Sequence, residues 1–577
     1  MNTNSFIEIV KEKANTWLND NIDEESAQEI KRMLNEEIEA LIEAFYKDLE
    51  FGTGGLRGIM GIGSNRMNKY TVGMSTQGLA NYLKQIFKKQ IAVAIAYDSR
   101  NNSEFFAKTA ANVLTANGIK VFIFDELRPT PELSFAVRYL NCQAGIVVTA
   151  SHNPKEYNGY KVYWDDGAQI VSPHDKNIIN EVRKISKISQ VNFKGNSNLI
   201  QTIGQDIDEA YIAALKTISL NSDIIKEQAN MPIVYTPIHG SGLKLVPMAL
   251  KAFGFNNIHL VEAQNNADGN FPTVKYPNPE EAEALEMALN LAKQINAEIV
   301  LGTDPDTDRV GVIARNAKGE YEILNGNQAA SLIIWYLLSQ WKKKDKLKGN
   351  EFIAKTIVTS DLLAEIAESF GVKYYDVLTG FKYIAEVIRN KEGQEKFIGG
   401  GEESYGYLIG DFVRDKDAVG SCAILAEISA WAKANNKTLP DILKEIYRDY
   451  SFYKESLVSI TKTGKAGAEE IKNMMVNYRN NPPESIAGED VTVIHDFEKQ
   501  ISFDMISQLR YGISLPKSNV LQFELKNGSK ISIRPSGTEP KIKYYFSVKA
   551  KMQSIEDYDK INQELENMIE QIKKEII

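Results

Sequence analysis

The sequence predicts an α/β protein: three successive α/β domains with mixed, mainly parallel sheets, then a C-terminal α+β domain. Two patterns carry this. From about residue 91 to 400, short apolar runs of strand length alternate with amphipathic helical stretches, as in a parallel sheet covered on both faces. After residue 452, strand-like runs instead pair locally around turn residues. The length agrees, since 577 residues at roughly 150 per domain give about four domains.

Taken in order, residues 26–48 set Ile30, Met33, Leu34, Ile38, Leu41, Ile42, Phe45 and Tyr46 at helical spacing and predict one long amphipathic helix. A glycine-rich turn, FGTGGLRG, follows at 51–58. The first α/β unit then reads strand 91–97, helix 103–117 ending at Asn117-Gly118, strand 120–125, helix 131–140 and strand 145–151. A second unit reads strand 232–236, a helix from about 242, strand 257–262, helix 279–296 and strand 298–303. A third reads strand 351–358, helix 361–370, strand 373–378, helix 381–390 and strand 396–400. At the end, NVLQFELKNGSKISIRPS is two strands around Asn527-Gly528, a hairpin signal; KIKYYFSVKA is a further strand, and 555–576 a terminal helix. The expected domains are 1–206, 207–322, 323–452 and 453–577.

Composition narrows the function. With 43% hydrophobic and 25% charged residues, a disordered, collagen-like or coiled-coil chain is excluded. A net charge of −9 and a pI near 5.5 speak against sequence-independent nucleic-acid binding and against a polybasic membrane tether. Cys142 and Cys422 are the only cysteines, which excludes a disulfide framework or a Cys-rich metal site and fits a reducing compartment. The longest apolar run, near 332–338, is far short of the ~20 residues a membrane helix needs. The N-terminus has no apolar run of signal-peptide length. The expectation is a cytoplasmic protein with neither nucleic-acid nor membrane partners.

Four polar, glycine-rich segments carry the chemistry. In VVTASHNPKEYNGYKVY, 147–163, Ser151 lies just past a buried strand, where a hydroxyl can act as nucleophile or carrier of a transferred group. His152 adjoins it, and Asn158-Gly159 suggests a turn that folds Lys161 back. An ordinary turn cap with a surface lysine is the alternative, and the G-x-S-x-G elbow of acyl hydrolases is absent. In GTDPDTDRV, 302–310, Asp304, Asp306 and Asp308 alternate directly after a strand. Carboxylates so close repel unless a cation neutralises them, and oxygen-only ligands select a hard ion such as Mg²⁺. An EF-hand would need Gly and Glu where Arg309 and Arg315 stand.

The third segment, GGGEESYG at 399–406, offers Glu402 and Ser404 to sugar hydroxyls, with Lys382 upstream in TGFKY and a basic sequel RDKDA at 414–418. In the fourth, IRPSGTEPKIK at 533–543, Arg534, Ser536, Gly537 and Thr538 suit a phosphate: a guanidinium plus a turn of donors. Together these residues suggest a phosphoserine beside Mg²⁺, with a hydroxyl reader and a remote phosphate cradle.

The four segments, in this order from Gly52 to Lys543, resemble the α-D-phosphohexomutase superfamily, the phosphoglucomutase and phosphomannomutase enzymes. The wording FGTGGLRG, NGYKVYWDDGAQIVSPHD and GTDPDTDR is most similar to the subgroup of phosphoglucomutase-2-type and phosphopentomutase enzymes. The resemblance implies four domains around a central active-site cleft and a phosphoryl group on Ser151. It implies Mg²⁺ on Asp304, Asp306, Asp308 and the phosphoserine, and glucose 1,6-bisphosphate as activator and intermediate. Arg57, Lys161 and His152 would serve the transfer; Arg309, Thr379, Gly380, Lys382, Glu402, Ser404 and Lys416 would bind the sugar; Arg534, Ser536, Gly537 and Thr538 would grip the non-reacting phosphate.

The expected activity is interconversion of glucose 1-phosphate and glucose 6-phosphate by a monomer or weak dimer. Mannose or pentose phosphates as main substrates, a sugar-bisphosphate synthase and a non-catalytic sugar-phosphate binder are the alternatives. Two departures stand out. Pro305 and Thr307 replace glycines found between the aspartates of many relatives, and no histidine follows the GEES segment between Gly401 and Val419. His239 in TPIHGSG is a conceivable substitute base.

Overall fold

Runs of β-branched and small apolar residues build the first sheet. In the computed structural model, which describes residues 3–52, 54–462, 464–536 and 541–577, the strands are β1 (Gly55–Ile59), β2 (Ala92–Tyr97), β3 (Lys120–Phe124), β4 (Ala144–Val148), β5 (Tyr157–Trp164) and β6 (Ile200–Ile203). Their order is β1-β5-β4-β2-β3-β6. β4, β2, β3 and β6 run parallel, while β5 is antiparallel to both β1 and β4. The buried faces of β2 and β4 explain their unbroken apolar sequences, as expected for strands covered on both sides.

Asn158 and Gly159 lie inside β5, paired with Gly58 and Arg57 of β1, and not in a turn. The reversal after β4 comes earlier, over 149–156. Gly159 is needed by close approach: a Cβ there would sit 2.4 Å from the Thr149 carbonyl oxygen and 2.9 Å from that of Leu56. The expected helix over 26–48 is also two helices, Glu24–Glu36 and Ile38–Phe45, broken at Glu37 with φ −136 and ψ 66. Apolar spacing continues across the break because both helices pack into one cluster with Trp17, Tyr70 and the unexpected first helix, Thr3–Leu18. Among the described residues no helix is long and apolar enough to cross a membrane.

The second sheet has the order β11-β10-β9-β7-β8. Its strands are β7 (Ile233–Thr236), β8 (Ile258–Leu260), β9 (Ile299–Thr303), β10 (Val310–Arg315) and β11 (Tyr321–Leu324). β9 lies parallel to β7 and then turns back antiparallel through β10, so residues 304–309 form a hairpin connection. The third α/β segment has β12 (Glu351–Thr356) parallel to β13 (Lys373–Val377), then β14 (Lys396–Gly401) and β15 (Tyr407–Ile409). The C-terminal sheet is antiparallel: β16 (Phe452–Thr461), β17 (Ser485–Ile486), β18 (Glu489–Asp496), β19 (Ile501–Asp504), β20 (Arg510–Gly512), β21 (Leu521–Leu525), β22 (Lys530–Pro535) and β23 (Lys541–Ala550). It is larger than the last four expected elements in part because β17, β19 and β20 are only two to four residues long, with little apolar alternation. The terminal helix is Tyr558–Ile576.

The chain divides into two compact units. One comprises residues 1–325, 381–399 and 404–436, the other 326–380, 400–403 and 437–577. In the first, the helix Ala418–Ala434 is almost wholly buried, and its N-cap Asp417 accepts from the Gly420 N–H (2.9 Å) and the Tyr211 hydroxyl (2.7 Å). Burial outweighs these bonds and raises its pKa from 3.8 to about 6. The folded state therefore binds this proton more tightly than the unfolded state, and stability is lost as pH rises through the window from 3.8 to about 6. Asp417→Asn is expected to flatten that slope, as read from denaturant midpoints across the window; a slope identical to that of the native chain would contradict the assignment.

Candidate active site

β4 delivers Ser151. The strand stops at Val148, and the Ser151 N–H donates to Thr149 Oγ1 at 2.8 Å, turning the chain so that Ser151 stands at φ 52. Antiparallel pairing of β5 then sets Lys161 opposite Val147, beside the same strand end. Strand register, and not a turn at 158–159, returns the lysine to the serine. Arg57 of β1 lies opposite Gly159 and donates to Asn153 Oδ1 at 3.1 Å.

The β9–β10 hairpin supplies Asp304, Asp306 and Asp308, which are 0%, 0% and 2% exposed. Its backbone is held from three directions. The Thr130 N–H donates to the Asp306 carbonyl at 2.9 Å and its hydroxyl to Asp306 Oδ2 at 3.1 Å. Ser241 donates through both N–H and hydroxyl to the Pro305 carbonyl, at 2.8 and 2.9 Å. The Ala418 N–H reaches the Thr307 carbonyl at 3.3 Å. Thr307 itself takes φ 57, a conformation that a β-branched residue rarely adopts, with its hydroxyl 3.0 Å from Ser241 Oγ. Thr130 and Ser241 carry no motif. Thr130 had one cue, the following Pro131 at a helix start.

Ser151 Oγ donates to Asp304 Oδ2 at 2.9 Å, and His152 Nδ1 is 3.2 Å from the same oxygen of the serine. Asp304 Oδ1 accepts the N–H groups of Asp308 and Arg309, both at 3.1 Å. Lys161 Nζ lies 2.7 Å from Asp306 Oδ2 and 3.5 Å from Asp308 Oδ2. Lys416 Nζ lies 3.1 Å from Asp308 Oδ2 and 2.9 Å from Asp415 Oδ1. Arg309 pairs with Glu280 and approaches Asp308 at 3.8 Å.

These neighbours split the carboxylates. Burial, with Asp308 and Asp306 alongside, pushes Asp304 well above the usual carboxylate range. Burial opposes ionisation of Asp308 too, but Lys416, Lys161 and Arg309 hold it below that range. Burial works against the Lys161 charge, yet Asp306 and Asp308 raise its pKa, so it is an ammonium. His152 is driven well below its ordinary value by burial and by Arg309 and Arg57, and is neutral. His239 is not a free base: Nδ1 lies 3.1 Å from the Asn266 carbonyl oxygen and Nε2 lies 2.9 Å from Thr273 Oγ1.

The triad fits a metal ion. One ligand atom from each of Asp304, Asp306 and Asp308 lies within 4.8 Å of the others, the one such group among the described residues. Asp306 Oδ1 and Asp308 Oδ1 are buried with no hydrogen-bond partner, the state expected of oxygens reserved for a cation. All donors are carboxylates, which suits a hard divalent ion.

The remaining candidates lie apart from this cluster in sequence and fall in both compact units. In the first unit, Ser404 is half-buried, and Lys382 lines a small cavity with Trp164, His174 and Glu386, which no triad aspartate lines. Burial lowers the Lys382 pKa. In the second unit, Glu402 Oε1 accepts the N–H of Gly380, which takes φ 116, and Thr379 is half-buried beside it in sequence. Arg534 is the penultimate residue of β22, opposite Lys543, and the Ser536 N–H donates to the Lys541 carbonyl at 2.7 Å. Gly537 and Thr538 lie outside the described residues.

Comparison with known proteins decides the family. Models described as phosphoglucomutase/phosphomannomutase α/β/α domains I, II and III match residues 48–189, 209–319 and 325–450. A curated phosphoglucomutase of Staphylococcus haemolyticus is 38% identical over 529 residues, covering 91% of this chain and 94% of its own. The chain belongs to the phosphoglucomutase/phosphomannomutase family of the α-D-phosphohexomutase superfamily. A second relative, phosphoglucomutase of Staphylococcus epidermidis strain RP62A, is 36% identical over 561 residues, covering 96% of this chain and 99% of its own. Among solved structures sharing the phosphohexomutase fold, the open form of pp63/parafusin, a phosphoglucomutase from Paramecium, superposes with a TM-score of 0.66 at 18% identity, covering 91% of this chain and 96% of that one. A phosphoglucomutase/phosphomannomutase family protein from Burkholderia thailandensis gives a TM-score of 0.63 at 20% identity, covering 91% and 97%.

Asp306→Ala is expected to weaken Mn²⁺ binding, measured by isothermal titration calorimetry, by about 100-fold or more, because metal sites lose tenfold to 100-fold even for outer-shell changes. Affinity equal to the native chain's would remove the triad as a metal site.

Proposed function

We propose that this phosphohexomutase interconverts glucose 1-phosphate and glucose 6-phosphate through a phosphoserine at Ser151. The observation that carries the reading is the Ser151 hydroxyl, set 2.9 Å from Asp304 at the edge of a buried three-carboxylate cluster. The relatives' name, phosphoglucomutase, favours glucose over mannose or pentose phosphates.

In the first half-reaction the free 6-hydroxyl oxygen of glucose 1-phosphate bonds to the phosphorus on Ser151. The Oγ–P bond breaks, the 6-hydroxyl proton leaves to a base, and Oγ takes up a proton as it departs. Glucose 1,6-bisphosphate turns over in the site. Ser151 Oγ then loses that proton and bonds to the phosphorus at the 1-position; the O1–P bond breaks and O1 takes up a proton, leaving glucose 6-phosphate and restoring the phosphoserine. Atoms balance, and no external donor is consumed. Asp304, Asp306 and Asp308 would hold Mg²⁺ together with the phosphoserine. When bound, it neutralises charge on the phosphoryl group during transfer.

The protein's own groups do the rest. Lys161, an ammonium, holds positive charge beside Asp306 and close to the serine. His152, neutral with Nδ1 3.2 Å from Oγ, is assigned to the transfer as a hydrogen-bond partner of the serine. Arg57 steadies Asn153 and adds positive charge. Arg309 and Lys416 belong to the cluster at the triad, and we assign them to the substrate phosphate. Glu402, Ser404, Thr379, Gly380 and Lys382 are assigned to the sugar, and Arg534, Ser536, Gly537 and Thr538 to the non-reacting phosphate. The domain boundaries at 206, 322 and 452 belong to the same proposal.

The test is ³¹P NMR of the protein with Mg²⁺, a trace of glucose 1,6-bisphosphate and glucose 1-phosphate. The native chain is expected to produce the glucose 6-phosphate resonance, and Ser151→Ala to lose it by a factor of about 10³ or more, as when an essential nucleophile is removed. Turnover unchanged in Ser151→Ala would refute the phosphoserine. Conversion of ribose 1-phosphate or mannose 1-phosphate alone would reassign the substrate.

A further inference from the structure

This inference rests on the phosphoserine reading and asks what keeps Ser151 in place. Ser151 stands at φ 52, in the left-handed region that non-glycine residues rarely enter. Within the loop its own N–H donates to Thr149 Oγ1 at 2.8 Å. The loop also turns several backbone carbonyls inward, and carbonyls drawn away from water need donors.

Arg100 supplies them. It lies outside the four glycine-rich segments, three residues past the end of β2. Asp98 shapes the turn, its Oδ1 accepting the Arg100 N–H at 3.0 Å and the Ser103 hydroxyl at 2.6 Å. The Arg100 side chain is 0% exposed. Its Nη2 donates to the carbonyls of Ser151, at 2.6 Å, and Asn153; its Nη1 donates to those of Pro154, at 2.9 Å, and Tyr157, at 3.1 Å. Nε faces Asp98 Oδ2 at 3.4 Å. The guanidinium lies over the Phe271 ring, 5.1 Å from its centroid. One planar cation thus gathers four carbonyls from a single loop.

We propose that Arg100 is the positioning residue of the phosphoryl-transfer serine: it holds the 151–157 loop from beneath so that Ser151 keeps its left-handed backbone and its hydroxyl stays on Asp304. Arg100 bonds only to backbone oxygens of the loop, so it acts through Ser151 and not on substrate. Lysine cannot replace it. An ammonium is a point charge with three donors, whereas the guanidinium spreads five donors in one plane to match carbonyls on two sides. A role limited to charge predicts that lysine suffices; a clamp predicts that it does not.

The test is Arg100→Lys in the full chain, with steady-state kinetics and hydrogen–deuterium exchange of the peptide spanning 149–158. The expected result is a kcat lower by about 100-fold, the scale of a small misplacement of a reacting group. KM should stay within about threefold, since substrate contacts are untouched, and the 151–157 amides should exchange faster while other segments keep native rates. Native kcat with native exchange would overturn the clamp, as would a loss in which KM and kcat worsen together in proportion. Should Arg100→Lys fail to fold, Phe271→Leu decides: it removes the ring beneath the guanidinium, and faster exchange at 151–157 is expected, whereas native exchange overturns the proposal. A native chain without mutase turnover would reject the phosphoserine reading alone, because the exchange comparison still tests the clamp.

Discussion

Negative charge buried on the β9–β10 hairpin is the constraint that the rest of the site serves. Three carboxylates almost fully removed from water repel one another, and an unpaired buried ion costs several kcal/mol. The chain answers with cations from separate segments: Lys161 from β5 and Lys416 from the stretch after β15. Backbone N–H groups of Asp308 and Arg309 satisfy one oxygen of Asp304. Arg309 approaches as a third cation, 3.8 Å from Asp308, yet Asp306 Oδ1 and Asp308 Oδ1 keep no hydrogen-bond partner. Those open oxygens suit the triad to a metal ion, with the proposed phosphoserine beside it.

Rigidity follows from the same constraint. A hairpin carrying this charge would spread if free, so its carbonyls are held by Thr130, Ser241 and Ala418, from three helix starts. Thr307 accepts an uncommon backbone conformation within that frame. The serine loop follows a parallel logic, with Ser151 also left-handed and its carbonyls drawn onto one buried guanidinium.

The sheets were legible because strands covered on both faces cannot avoid apolar runs, as in AVAIAY and AGIVV. The Asp triplet was legible for the opposite reason: charge accumulating at a strand end is conspicuous. Helix 26–48 misled because two helices packing into one core share one apolar stripe, and nothing in that stripe marks Glu37 as the break. Asn158-Gly159 misled because the pair commonly marks a turn, whereas here the glycine admits two neighbouring carbonyls at close range. Arg100, Thr130 and Ser241 stayed hidden because they act on backbone carbonyls, which leave no side-chain pattern to read.

The most direct test of the central claim, that Ser151 carries the phosphoryl group beside the triad, is peptide mapping by mass spectrometry. The native protein would be incubated with glucose 1,6-bisphosphate and Mg²⁺ and then digested. One added phosphoryl group on the peptide containing Ser151, lost after a chase with excess glucose 6-phosphate, is the predicted result. A phosphoryl group on another residue, or none on any peptide under conditions where the protein turns over, would contradict it.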